Sequence, residues 1–264
     1  MKKLGYWWSE QTEPHDLVFE VVEHLTDNQG YHSTNNINHA RLYGNISYRD
    51  LGSGNLVQRA KTSAKNRVTL NIIQSMCDTV TARVAKAKPM ATYLTTGGDW
   101  AMQRKAKSLT KFTAGQFYGS KIYEVAPRVF LDACVFGTGV MKIFEHDGEI
   151  TCERVFPDEI VFDDLEARYG NPRQMFQRKI VDKQVLTSLF PEFADQIRDA
   201  SPVEDNDSIY KASEQVECIE AWHLPSSKGA KDGRHVITIE NATLMDDSWE
   251  RDEFPFAFIR WTNR

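Results

Sequence analysis

The strongest constraint on this chain is a change of period at Gly137-Thr138-Gly139. Before it, apolar residues recur every three or four positions, as on one face of a helix. After it they fall into short runs bounded by turn residues, as in strands. The expected class is therefore α+β, with long amphipathic helices in the first half and antiparallel β-strands in the second.

The helical half is read from its stripes. Pro14 sits at a first-turn position, followed by Leu17, Val18, Val21, Val22 and Leu25 on one face, and Asn28-Gln29-Gly30 ends that helix. Residues 31–54 are polar and predict a loop with a short helix around 38–42. The clearest helix carries Val68, Ile72, Ile73, Met76, Val80 and Val84 on its apolar side and stops at Pro89. Residues 90–94 read as a short strand. A helical stretch then spans about 99–136, interrupted at Gly119-Ser120. Its first part sets Met102, Ala106, Leu109, Phe112 and Phe117 against Arg104, Lys105, Lys107 and Lys111; its second part is apolar enough for a core helix, with Pro127 as a kink. Met76 and Met102 are expected as core filling.

The second half predicts a hairpin, 140–144 and 150–156, turning at Asp147-Gly148. Strands follow at 160–162, 174–181, 216–224, 235–240 and 254–261. A helix capped by Asp182 is expected to hold Val185, Leu186, Leu189, Phe193 and Ile197 inside. Residues 200–214 read as an acidic surface loop. The final apolar strand, around Phe254-Pro255-Phe256, is expected to need further chain or a neighbouring subunit to cover it.

Charge is unevenly placed. The 264 residues carry a net −5, yet residues 1–144 hold 18 Lys/Arg against 11 Asp/Glu and the remainder 14 against 26. Between Arg59 and Lys121 the count is 12 basic to 2 acidic. Such a split points to a polyanion or a charge-complementary neighbour. With 41% hydrophobic residues, no apolar run near the roughly 20 residues that span a bilayer, and a basic start that turns polar at once, membrane and secreted classes drop out. Cys77, Cys134, Cys152 and Cys218 lack metal-ligand spacing and read as reduced thiols.

No phosphate loop, nucleophile elbow, zinc-protease or dinucleotide motif is present, so neither a catalytic residue nor a cofactor is expected. Gly137-Thr138-Gly139 follows a helix and enters a strand, the reverse of a phosphate-cradling order, and is read as a helix stop and tight turn. Asp158, Glu159, Asp163 and Asp164 could hold Mg²⁺, but Asp158 and Asp163 sit at opposite ends of a strand roughly 17 Å long when extended. The histidines form no pair on a helix; His15 and His146 read as capping or solvent residues.

The basic helix remains. Arg104, Lys105, Lys107 and Lys111, with Lys86, Lys88 and Lys121 nearby, could touch DNA phosphates or another subunit. No aromatic-interleaved platform for stacking bases is expected. Two alternatives thus stand beside a structural role: a nucleic-acid-binding module using residues 104–111, and a Mg²⁺-dependent nuclease using Asp158 and Asp163.

Residues 66–164 resemble the portal proteins of tailed double-stranded DNA bacteriophages, the podovirus-type head-to-tail connectors. The similar pattern is an Asn66-led apolar helix ending in Lys88-Pro89 and a polar helical segment. Next comes Leu131-Asp132-Ala133-Cys134-Val135-Phe136-Gly137-Thr138-Gly139. A strand pair then leads to Val155-Phe156-Pro157-Asp158-Glu159-Ile160-Val161-Phe162-Asp163-Asp164. Glu220-Ala221-Trp222 and Phe254-Pro255-Phe256 look like that family's wing region. The resemblance implies a non-enzymatic subunit of a homo-oligomeric ring, typically of twelve copies, at one capsid vertex of the virion, assembled in the host cytoplasm. It implies double-stranded DNA passing through the channel during packaging and ejection. Its implied partners are the major capsid protein, the terminase large subunit and head-tail adaptor or tail proteins, with no membrane. On that pattern the chain divides into an N-terminal helical arm (1–65), a wing core of helices and hairpin (66–199) and a β-rich wing extension (200–264). The family's stem, clip and crown are not recognisable before Arg264, so its channel-lining residues are not carried over.

Overall fold

The computed structural model describes residues 6–9, 13–45, 70–146, 148–170, 172–203 and 214–261. In chain order, α1 is Pro14–Asn28, α2 Gly30–Tyr43, α3 Ile72–Ala85, α4 Trp100–Gly119 and α5 Ile122–Phe136. Strands β1 (Thr138–His146), β2 (Glu149–Val155) and β3 (Ile160–Val161) follow, then the one-turn helix α6 (Asp164–Ala167) and β4 (Gln174–Asp182). Helices α7 (Lys183–Leu189) and α8 (Ala194–Asp199) precede β5 (Gln215–His223), β6 (Arg234–Ile239), β7 (Ala242–Ser248) and β8 (Phe256–Arg260). The class is α+β, helices first and strands second.

Contacts gather the chain into two compact units, each from two stretches: Met1–Tyr31 with Asp158–Phe254, and His32–Pro157 with Pro255–Arg264. Helix α1 belongs with the second-half strands, and β8 with the first-half helices.

The sheet-rich unit is an antiparallel sheet in the order β3-β4-β5-β6-β7. Both faces of β5 are covered, so its buried residues alternate between two cores. On one face Val18 and Val22 of α1 pack with Trp7, Val161, Phe176, Ile219, Ala221 and Val236. On the other, Leu186 and Ile197 from α7 and α8 pack with Val216, Cys218, Ile239, Ala242 and Leu244. Trp7 is fully buried, and its indole N–H donates to Gln174 Oε1 at 3.0 Å. Buried Lys183 donates to the carbonyls of Arg198 and Ala200 at 2.9 and 2.8 Å, satisfying acceptors that the end of α8 leaves open.

At the end of β5, His223 is buried, stacked on Trp8 with ring centroids 4.4 Å apart. Its Nδ1–H donates to the Asp232 carbonyl at 3.1 Å. Burial pushes its pKa below the ordinary 6.5, against the pull of that hydrogen bond; Arg173 and Asp232 are the charged groups facing it. The unfolded chain therefore binds a proton at a pH where the folded one resists it. Stability should be full above about pH 6.5 and fall as pH drops through that value toward the lowered folded pKa. Thermal melting against pH should show this slope in the wild type and a flatter one in His223→Phe; identical slopes would contradict the assignment.

The helix-rich unit stacks α5 on a three-stranded antiparallel sheet, β2-β1-β8. Val129 and Ala133 of α5 are buried against Val140 and Val155. Gly137 ends α5 in the left-handed region (φ 88°), its N–H donating to Ala133 O at 2.9 Å, which is the helix stop expected there. Asn71 and Asp99 cap α3 and α4, accepting from the N–H groups of Gln74 (3.0 Å) and Met102 (2.8 Å). The break at Gly119-Ser120, the hairpin and the Asp182 cap also form as expected.

Several expectations are corrected. Helix α2 runs 14 residues where the polar pattern predicts a loop with only a short helix around 38–42; none of its side chains is buried, so apolar periodicity has little to detect. Tyr43 at its end donates its hydroxyl to Asp78 (2.7 Å) and accepts at its carbonyl from Asn71 Nδ2 (2.8 Å). Residues 90–94 form no strand, because Thr110 and Thr113 of α4 bond Tyr93 instead: its backbone N–H donates to Thr110 Oγ1 at 3.2 Å, and Thr113 Oγ1 donates to its hydroxyl at 3.1 Å. The helix after Asp182 breaks at Pro191 into α7 and α8. Leu186 and Ile197 are buried and Phe193 half-buried, but Val185 and Leu189 are exposed, because they lie roughly 60–100° around α7 from Leu186, which faces the core. Strand β7 is absent from the sequence reading; it follows β6 through a two-residue turn, Glu240-Asn241, and ends in the polar Asp246-Asp247-Ser248. Met76 and Met102, expected in the core, are 65% and 58% exposed. Val68 of the stripe that continues into α3, Asp147 of the hairpin turn and most of the 200–214 loop lie outside the described residues.

Candidate interaction surface

All four cations of the basic helix lie on α4 and all are exposed. Between Trp100 and Gly119 there is no carboxylate to neutralise them. The helix turns Ala106, its only buried residue, inward with Thr110, Thr113 and Phe117 half-buried on the same side. At 100° per residue, Arg104, Lys107 and Lys111 then share the outward face, with Lys105 on its other flank. The Arg104 guanidinium lies over the Trp100 ring, 5.4 Å from its centroid. A shallow groove on this face is lined by Trp100, Arg104, Lys105, Ser108, Leu109 and Phe112, residues of α4 alone. Among the described residues, no other element of the unit supplies a wall.

Exposed aromatic side chains accompany the cations. Trp100 (72% exposed), Phe112 (60%) and Tyr118 stand on the same helix as the cations. Of these, only Phe112 belongs to the apolar stripe read from the sequence, and the pattern does not say which stripe positions find a cover. The same holds on α3, where Ile72, Ile73 and Met76 are exposed and no residue is buried. Lys86 and Lys88 follow the end of α3, and Lys121 takes a left-handed conformation (φ 54°) at the start of α5; none of the three lies on α4.

Two of the acidic residues at 158–164 make local contacts within the fold. Glu159 accepts from Gln177 Nε2 at 3.0 Å, and Asp163 caps α6 by accepting from Leu165 N–H at 2.8 Å. Among the described residues, no three His, Cys, Asp or Glu side chains gather to hold a metal ion. His15 ties α1 to β7 through Thr243 Oγ1 at 3.3 Å. The cysteines are unbridged, and burial raises the Cys134 thiol above its ordinary value. Among the described residues no helix is long and apolar enough to cross a membrane.

The fold sharpens the charge split. The helix-rich unit carries 19 Lys/Arg against 9 Asp/Glu, net +10; the sheet-rich unit carries 13 against 28, net −15. The sequential halves show only +7 and −12. A second acidic feature goes unmarked in the sequence reading: residues 246–253 hold Asp246, Asp247, Glu250, Asp252 and Glu253 against Arg251 alone. They run from edge strand β7 into the segment after it, and all five acids are exposed. Asp246 is paired with Arg234, whose Nε donates to it at 2.8 Å; Arg251 lies over the Trp249 ring.

No protein-family model matches this chain, and no curated protein matches it.

Proposed function

We propose that the chain is a structural subunit of a ring, the portal or head-to-tail connector of a tailed bacteriophage, built into the capsid vertex of the virion. In this role it has no catalytic centre. Its copies, about twelve by the resemblance, enclose a channel for double-stranded DNA, and the ring meets the capsid protein, the terminase and the tail adaptor. One observation carries the reading: two compact units of opposite charge, +10 and −15, in one polypeptide. A subunit so divided attracts the opposite unit of another copy and repels its own kind. Made once per pair, that contact is head-to-tail and repeats around an axis until it closes.

Single-particle imaging of the purified chain tests this. Rings with a central hole are the expected outcome; monomers at every accessible concentration and low ionic strength would end the proposal. A second reading, a nucleic-acid-binding module, is favoured by the exposed cations and rings of α4. It expects salt-dependent DNA binding by a monomer instead.

A further inference from the structure

We propose that the outward face of α4 is a contact between copies of this chain, seated on the acidic 246–253 segment of the next copy. The inference rests on the ring reading and adds which surfaces meet. The face combines Trp100, Phe112 and Leu109, all largely exposed, with Arg104, Lys105 and Lys111. Trp, Phe and Arg are the residues that anchor protein interfaces, and exposed apolar side chains gain most from a partner that excludes water. The phosphate backbone of duplex DNA, whose bases are already stacked, would neutralise the cations and leave those side chains wet.

Charge names the partner. Two α4 helices cannot face each other, because eight cations would meet with no carboxylate between them. The complementary surface must be acidic, and Asp247, Glu250, Asp252 and Glu253 supply it on the unit of net −15. Asp247 lies on β7, an edge strand of its sheet, so the segment is open to a neighbour's approach. The two surfaces differ, so they can meet once per pair, which generates a ring or a filament, or reciprocally about a twofold axis, which closes a dimer; the ring reading requires the first, and closed dimers as the end state would overturn it.

Charge reversal tests this in the full chain. Lys105→Glu with Lys111→Glu should raise the concentration of half-assembly at least about tenfold. Asp247→Lys with Asp252→Lys should do the same. All four positions are exposed, so at concentrations below assembly the variants should melt at the wild-type temperature and so report intact folding. Mixing the two double variants should restore rings, since each reversed face then meets an opposite one. Zero-length carboxylate–amine cross-linking of mixed isotope-labelled wild-type copies should join Lys105 or Lys111 of one copy to the 246–253 carboxylates of another.

The failures are distinguishable. A wild type that never leaves the monomer ends the ring reading and this contact with it. Rings that persist in both double variants, or that neither variant regains on mixing, overturn the contact and leave the ring reading standing. Loss of DNA binding with intact rings in Lys105→Glu/Lys111→Glu assigns α4 to DNA and overturns the contact too.

Discussion

Gly139→Ala should destabilise the helix-rich unit by about 3 kcal/mol or more, the upper end for overpacking a core. A Cβ at this position would stand 1.9 Å from the carbonyl oxygen of Val129 and 2.9 Å from its carbonyl carbon. Both are backbone atoms of α5, so no side-chain rotation relieves the clash; α5 and β1 must move apart. Val129, Ala133 and Val140 lie at that junction and are almost wholly buried, so separation opens the centre of the unit. Gly137, two residues earlier, is the control. It sits at φ 88°, and a methyl group there would meet no atom within 4 Å, so alanine costs only the left-handed penalty, about 1–2 kcal/mol. Denaturant unfolding of both variants separates the cases. A Gly139→Ala protein no weaker than Gly137→Ala would mean that α5 and β1 do not approach so closely.

Arg154→Ala should cost about 3–5 kcal/mol, the loss expected when one partner of a buried ion pair is removed. Asp132, on α5, is almost fully buried. Its carboxylate accepts from both Nε and Nη2 of Arg154 on β2, and that guanidinium lies 4.3 Å from the centroid of the Phe156 ring. Removing the guanidinium strands a carboxylate in the core. Replacing both partners, Asp132→Leu with Arg154→Met, removes the charge as well and should recover most of the loss. Amide exchange in the β1–β2 hairpin, beside denaturant unfolding, would report it locally. If the double variant were as weak as Arg154→Ala, the pair would be acting through something other than a buried charge.

These two expectations show how far the sequence reaches. The stop at Gly137 is legible, because a helix pattern followed by glycine and a strand pattern allows few other readings. That Gly139 is required by close approach, while Gly137 is required by its backbone angle, is not legible in a Gly-Thr-Gly triplet. Asp132 and Arg154 are 22 positions apart on different elements, and nothing in a stripe announces a pair across a helix–sheet junction. Likewise the cations of α4 can be named from the sequence, since four occur within eight residues without an acid. That Phe112 of the stripe stands exposed beside them cannot, because an apolar stripe records only which side of a helix would accept cover.

Local patterns, then, were enough for the α+β class, for α1, α4, α5 and the β1–β2 hairpin, and for the basic face, since periods, caps and turn residues act within a few positions. Long-range association set the rest: α1 and Trp7 beside strands more than 150 residues later, β8 against β1 instead of the larger sheet, and charge parted into units of +10 and −15. Those outcomes depend on which buried surfaces fit one another across the whole chain, and hydrophobic burial carries no address in any single segment.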